Sequence, residues 1–214
     1  LHIAILVCHT PTTKILKNEG DFATMIQKAF NNGATNLISS SSPLELSFDI
    51  FDVVHKREYP NDQDILAGRY NGIIISGSTD AAYENEPWIL ELIEFIQSIQ
   101  DYSYDSSSKL MRHFKVPLIG ICFGHQIIAR ACGGIVEQNP NGWEFGPIQI
   151  QLTDEARSFF QTDRKTMCIN EFHQDHVSSL PAGFVCLASS LPHTPIQSML
   201  SLDGKCITLQ GHPE

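Results

Sequence analysis

Cys122 lies between two glycines in the run Gly120-Ile121-Cys122-Phe123-Gly124. Before it stands a short apolar stretch, Leu118 to Ile121, of the length of a buried strand. After it a helical pattern runs from His125 to the stop at Gly133-Gly134. Strand, G-x-C-x-G and helix together predict a nucleophile elbow with Cys in place of Ser. The glycines suit a tight turn in which backbone passes close to backbone. The turn sets Cys122 at a helix N-terminus, where the dipole and free N–H groups favour a thiolate and can face a developing oxyanion.

A thiol nucleophile needs a base that takes its proton and later protonates the leaving group, and the base needs a group that fixes its tautomer. The last seven residues, Thr208-Leu209-Gln210-Gly211-His212-Pro213-Glu214, contain both. An apolar strand delivers His212 to a turn after Gly211. Pro213 restricts the backbone so that Glu214 can stand behind His212. Cys122, His212 and Glu214 are the catalytic candidates, and the readings weighed against them are a packed core thiol and a strand-ending turn with a solvated Glu.

The elements that must position these residues follow from hydrophobic periodicity. Residues 2–8 form a continuous apolar run, as in a strand buried on both faces. A polar loop with Pro11 follows. Asp21 caps a helix to Gly33, with Phe22, Met25, Ile26, Ala29 and Phe30 on one stripe. Strands are predicted over 46–54 and 72–76, and a helix from Pro87 to about Gln100 with Trp88, Leu92, Ile96 and Ile99 on one side. Residues 101–109, polar and serine-rich, read as a disordered loop. Beyond Gly134 come a strand over 143–153, a short helix over 154–161 and strand-like runs at 166–172, 184–189, 196–202 and 206–210. The first half thus reads as β-α-β units around a parallel sheet and the second as mostly strands. No linker or internal repeat divides the chain, so 1–214 reads as one domain. Leu1 in place of Met and the stop directly after a motif are expected of a chain truncated at its termini.

Composition excludes several classes. Over 214 residues the chain is 42% hydrophobic and 18% charged, with a formal net charge of −10. That balance, with no local Lys/Arg cluster, argues against nucleic acid and anionic membrane as partners. No apolar run reaches transmembrane length and no signal peptide opens the sequence. Six cysteines occur, and Cys8, Cys168, Cys186 and Cys206 sit in apolar strand-like runs, the pattern of buried reduced thiols. With no C-x-x-C or H-x-x-x-H spacing for zinc, the chain reads as cytoplasmic, metal-free and without a cofactor.

Other polar residues near the motifs carry weaker signals. His125 sits inside the elbow helix and reads as a structural hydrogen-bond former. Gln126 divides evenly between a substrate contact and a brace for the elbow. His173, Asp175 and His176 read as polar loop. Cys132 reads as core, and so does the aromatic pair in Trp143-Glu144-Phe145-Gly146, although these residues could instead line a pocket.

Gly120-Ile-Cys-Phe-Gly-His-Gln126 together with Gly211-His-Pro-Glu214 resembles the class I (triad) glutamine amidotransferase family. Ile73-Ile-Ile-Ser-Gly-Ser78 and Phe172-His-Gln-Asp-His-Val177 extend the likeness, the latter being similar to that family's Ser-His-Gly-Asp-x-Val segment. Within the family the chain is most similar to stand-alone fungal amidotransferase-like proteins and plant γ-glutamyl peptidases. The resemblance implies a flavodoxin-like α/β fold: a mostly parallel central sheet flanked by helices, with additional antiparallel strands in the C-terminal half. It implies that Cys122 attacks glutamine or a γ-glutamyl bond and forms a γ-glutamyl thioester, with backbone N–H groups of Gly77 and Phe123 as the oxyanion hole. It implies substrate contacts from Gln126 and from the backbone of Phe172, His173 and Gln174. No synthetase domain accompanies the motifs, so the ammonia acceptor is a separate synthetase subunit or the protein is a stand-alone hydrolase. A non-catalytic metabolite- or partner-binding member of the same fold is the alternative. Two departures, Ser76-Gly77-Ser78 for Gly-Gly-Pro and Gln174 for Gly, bear on specificity more than on chemistry.

Overall fold

A computed structural model describes residues 1–9, 16, 20–37 and 44–214. Pro11 and its polar loop lie outside the described residues. The first half builds β1 (His2–Val7), α1 (Phe22–Leu37), β2 (Ser47–Asp52), α2 (Asp62–Leu66), β3 (Gly72–Ile75) and α3 (Pro87–Ser98). A hairpin of β4 (Gln100–Tyr104) and β5 (Leu110–Phe114) leads to β6 (Leu118–Ile121) and α4 (Phe123–Ala131). Then come β7 (Ile135–Gln138), β8 (Glu144–Leu152), α5 (Asp154–Phe159), β9 (Thr166–His173), β10 (Asp175–Ser179), β11 (Phe184–Ser190), β12 (Thr194–Ser201) and β13 (Cys206–Leu209).

One nine-stranded sheet carries the fold, in the order β2-β1-β3-β6-β13-β12-β11-β8-β9. From β2 to β13 neighbours run parallel. From β13 to β9 they run antiparallel. The parallel part is covered on both faces. Ile73 and Ile75 of β3 join the large cluster with Trp88, Leu92 and Ile96 of α3 and Phe123, Ile127 and Ile128 of α4. Ile74, one residue out of phase, packs on the other side with Ile3, Ile5, Ala23 and Ile26. This alternation buries an isoleucine on each face, at about 1.5–3 kcal/mol per side chain. The antiparallel part curls. Its outermost strand, β9, returns to the chain just beyond β13 through a bridge between Asn170 and His212.

Four expectations are corrected. Residues 101–109 are no disordered loop: 100–104 and 110–114 pair as a hairpin. Its turn is held by Asp105, whose Oδ1 accepts from the N–H groups of Ser107 and Lys109, an Asx turn that a polar composition conceals. The Arg112 guanidinium lies over the Tyr102 ring, 4.9 Å from its centroid. Helix α1 passes Gly33 and ends at Leu37, because Ala34 continues the buried stripe of Ile26 and Phe30. The elements α2, β7 and β10 are additional, each only four or five residues long and too short to show a period. Cys168 is exposed and Cys186 half-buried, against the expectation of four buried thiols; all six cysteines are free. Cys168 points outward because its neighbour Ile169 takes the inner face of β9. No helix among the described residues is long and apolar enough to cross a membrane.

Candidate functional site

The turn between β6 and α4 requires both glycines. A Cβ on Gly120 would stand 2.5 Å from the Gly124 carbonyl oxygen, and one on Gly124 would stand 2.3 Å from that of Ile75. The backbone segments are in direct contact, so the chain reverses within one residue. That residue is Cys122, held at φ 53 and ψ −106, a region costly for a side chain with Cβ and tolerated where surrounding structure enforces it. The Cys122 N–H donates to the Leu209 carbonyl (2.8 Å) and its carbonyl accepts from the Gln126 N–H (3.2 Å). The thiol therefore sits at the start of α4, 7% exposed.

His212 reaches the same place from the other half of the sheet. Its N–H donates to the Asn170 carbonyl at 2.8 Å. Its Nδ1 lies 2.8 Å from Glu214 Oε1. A carboxylate accepts, so Nδ1 carries the proton, and the contact with Cys122 falls to the other ring nitrogen. Burial alone would lower the imidazole, but the hydrogen bonds and charges of Cys122 and Glu214 outweigh it and push it up to about 10. Gly77 closes the third side. A Cβ there would stand 3.4 Å from His212 Cε1 and 3.7 Å from Cys122 Cβ. Cys122, His212, Glu214 and Gly77 are thus brought together, and the N–H of Phe123 opens the helix beside them.

The remaining predicted residues divide. Gln126 Nε2 donates to the Asp175 carbonyl (2.8 Å) and to Gln210 Oε1 (3.1 Å), so its amide N–H groups brace the elbow. His125 is fully buried against Thr208 Oγ1 at 2.6 Å. Desolvation, reinforced by the charge of His173, drives it down to about 3, so it stays neutral. Cys132 is buried in the core. Phe172 is 56% exposed, and its ring stands 5.6 Å from Trp143 and 5.5 Å from Phe145. Trp143 and Phe145 are exposed as well, which corrects their reading as core. The residue between them, Glu144, takes the inner face, where it accepts from Ser190, Thr194 and Gln197, and strand alternation turns the aromatics out. His173 also faces inward: Nδ1 donates to the Asp175 carbonyl (3.0 Å), while Nε2 lies 3.1 Å from Glu144 Oε2 and 3.4 Å from Glu171 Oε2. The carbonyl of Gln174 accepts from Asn139.

Paired residues of antiparallel strands share a face. His212, its partner Asn170 and, two residues on, Phe172 therefore point the same way, and Glu171 points the opposite way, under Gly211. Glu171 and Glu144, neither foreseen, are both buried but differ in partners. Burial alone would raise Glu144; hydrogen bonds from His173, Ser190 and Thr194 instead hold it at about 2. Burial and the charge of Glu144 push Glu171 up to about 8, and neither of its oxygens has a hydrogen-bond partner. Gln210, 3.8 Å from Cys122 Sγ through its Nε2, is a further residue missed in sequence, although it sits in the run that carries His212.

Among the described residues no group of three or more His, Cys, Asp or Glu is arranged to hold a metal ion. A surface hollow of about 440 Å³ lies away from Cys122 around Asp49, Asp64 and Arg69, whose charges are already paired with one another.

Residues 30–214 match the family model described as glutamine amidotransferase class-I. The chain is 32% identical to a glutamine amidotransferase-like protein of Schizosaccharomyces pombe, over all of the chain and 79% of that protein. It is 30% identical to gamma-glutamyl peptidase 5 of Arabidopsis thaliana, over 90% of the chain and 71% of the peptidase. The crystal structure of a glutamine amidotransferase from Thermotoga maritima superposes with a TM-score of 0.69 at 19% identity, covering 99% of this chain and 75% of the other.

Proposed function

The chain belongs to the class-I glutamine amidotransferase family, and on that premise we propose that it hydrolyses the side-chain amide of glutamine, or a γ-glutamyl bond, through a thioester on Cys122. The convergence of Cys122, His212 and Gly77, with Glu214 2.8 Å behind the imidazole, carries the reading. The thiol proton passes to His212, and the sulfur attacks the γ-carbonyl carbon. The carbonyl electron pair moves to oxygen, which faces the N–H groups of Gly77 and Phe123; one such donor contributes about 3–4 kcal/mol to the transition state. Collapse breaks the C–N bond, and His212 returns the proton to the departing amine. Water then gives its proton to His212 and attacks the thioester; the C–S bond breaks and glutamate leaves. Glu214 keeps Nδ1 protonated throughout.

The backbone of Phe172, His173 and Gln174 holds the α-amino and α-carboxyl groups of the substrate, while Gln126 acts through Gln210 and Asp175 on the shape of the elbow. When glutamine is the donor, the ammonia passes to a separate synthetase subunit or is released. Glutamate release is measured from glutamine and from γ-glutamyl dipeptides, with and without cell extract, for the wild type and Cys122→Ser. Cleavage lost in the variant is expected. Cleavage of γ-glutamyl peptides alone removes the amidotransferase branch. No cleavage by the wild type, and no adduct between Cys122 and a glutamine-mimicking electrophile, leaves the non-catalytic reading.

A further inference from the structure

Arg130 lies in the last turn of α4, the helix whose first residue follows Cys122. Its guanidinium reaches off the helix and grips the segment that begins at Gly77. Nη1 donates to the carbonyls of Ala82 (2.8 Å) and Glu84 (2.5 Å), and Nη2 donates to Asn85 Oδ1 (2.6 Å). Ala82 is fully buried, so the segment is pinned at its inner point and again two and three residues on. At its front end Ser76 Oγ accepts from the Cys8 N–H (2.9 Å) and donates to the Gly77 carbonyl (3.0 Å). At its far end Glu86 stands at the N-terminus of α3, its carbonyl accepting from the N–H groups of Ile89 and Leu90, and the Trp88 ring of α3 lies tilted, 5.3 Å from that of Phe123 of α4.

From this geometry we infer that Arg130 is a positioning residue for the oxyanion hole: it sets the separation of the Gly77 and Phe123 N–H groups. The inference rests on the proposed function and adds to it a residue for which that mechanism has no step. The Phe123 N–H belongs to α4 itself, whereas the Gly77 N–H belongs to a segment with little regular structure. The pairing of β3 with β6 anchors the front of that segment, and a second rigid connection, from its far end back to α4, fixes the distance between the donors. The helix supplies it, since seven residues from Phe123 to Arg130 span about 10 Å. Arginine suits the far end because its planar fork engages three acceptors at once, which a lysine ammonium on a flexible stem does not reproduce. Donor placement matters at this scale, because about 1 Å of misplacement costs on the order of a hundredfold in rate.

The test compares two alkylating agents on the whole chain. A chloromethyl ketone built on the γ-glutamyl group forms a tetrahedral adduct whose oxyanion needs the hole. Iodoacetamide reacts by direct displacement and develops no oxyanion. In Arg130→Ala the ketone is expected to label Cys122 at least tenfold more slowly, with the iodoacetamide rate within twofold of wild type. Free guanidinium ion restores part of the ketone rate, and Arg130→Lys, which keeps the charge but not the fork, falls in between. A merely structural arginine moves both rates together, and equal ketone rates in wild type and both variants overturn the inference. If the wild type itself shows no preference for the ketone, the proposed function fails instead.

Discussion

The two halves of the sheet meet at the candidate site and hold their contributions by different physics. The parallel half fixes Cys122 by apolar packing and backbone contact. β6 lies between β3 and β13, Phe123, Ile127 and Ile128 are at most 1% exposed, and Gly120 and Gly124 let backbone meet backbone. The antiparallel half fixes His212 by hydrogen bonds and charge. Its own apolar cluster is small, built on Ile150, Ile169 and Ala188. Beside it lies a polar interior of Glu144, Glu171, His173, Thr194 and Gln197. Apolar packing is insensitive to pH, whereas a buried carboxyl network is not. Cys122 and His212 should therefore respond differently to mutation and to pH.

The largest effect is expected from the proposed nucleophile. Cys122→Ser should lower glutamate release by about a thousandfold or more while leaving the melting temperature within a degree or two of wild type. Gly124→Ala attacks the packing that holds it. The new methyl would press on the Ile75 carbonyl, and a loss of about 3 kcal/mol in urea unfolding is expected. A smaller loss would mean that the elbow can open.

On the polar side, Glu144→Gln leaves His173 without its closest carboxylate oxygen. A loss of about 2–3 kcal/mol is expected at pH 7. The wild-type contribution of Glu144 is present above pH 4.5, its unfolded value, and disappears as pH falls through about 2, so the gap between mutant and wild type should close in acid. Glu171 has the opposite sign. Its folded pKa of about 8 exceeds the unfolded 4.5, so the native state keeps a proton that the unfolded chain has lost. Stability therefore falls as pH rises from 4.5 through 8. Glu171→Gln should remove that slope and stabilise the protein by about 1–2 kcal/mol at pH 8. A destabilising result would show that the carboxylate has a partner in solution. His212, raised from 6.5 to about 10, extends the decline: its contribution is complete below pH 6.5 and lost as pH rises through about 10. The smallest effect is expected there, as a shallower alkaline slope in Glu214→Gln followed by calorimetry.

Legibility in sequence follows the same division. The elbow was readable because its constraints are local: glycines at two and two residues from Cys122, an apolar strand before and an amphipathic helix after. The strands and longer helices were readable wherever burial imposes a period, as at Ile73 to Ile75. The hairpin over 100–114 was misread because its stability comes from one Asp side chain and a cross-strand Arg–Tyr contact, neither of which leaves a periodic trace. Trp143 and Phe145 were misplaced because an aromatic is read as core unless something else claims the inner face, and Glu144 does so through His173 and through partners 46 to 53 residues away.

The sequence alone singled out Cys122 and its glycine turn, and His212 with Glu214 behind it, because each of these two motifs is encoded within five residues. Only the tertiary structure decided that these two ends meet, because the curl of β13 to β9 and the Asn170–His212 bridge are long-range pairings. It also decided that Gln126 donates to Asp175 and Gln210, that Glu171 lies without a hydrogen bond beneath Gly211, and that Arg130 reaches from the elbow helix to the segment after Gly77. Those roles depend on which groups share a buried face, and burial is a property of the folded chain.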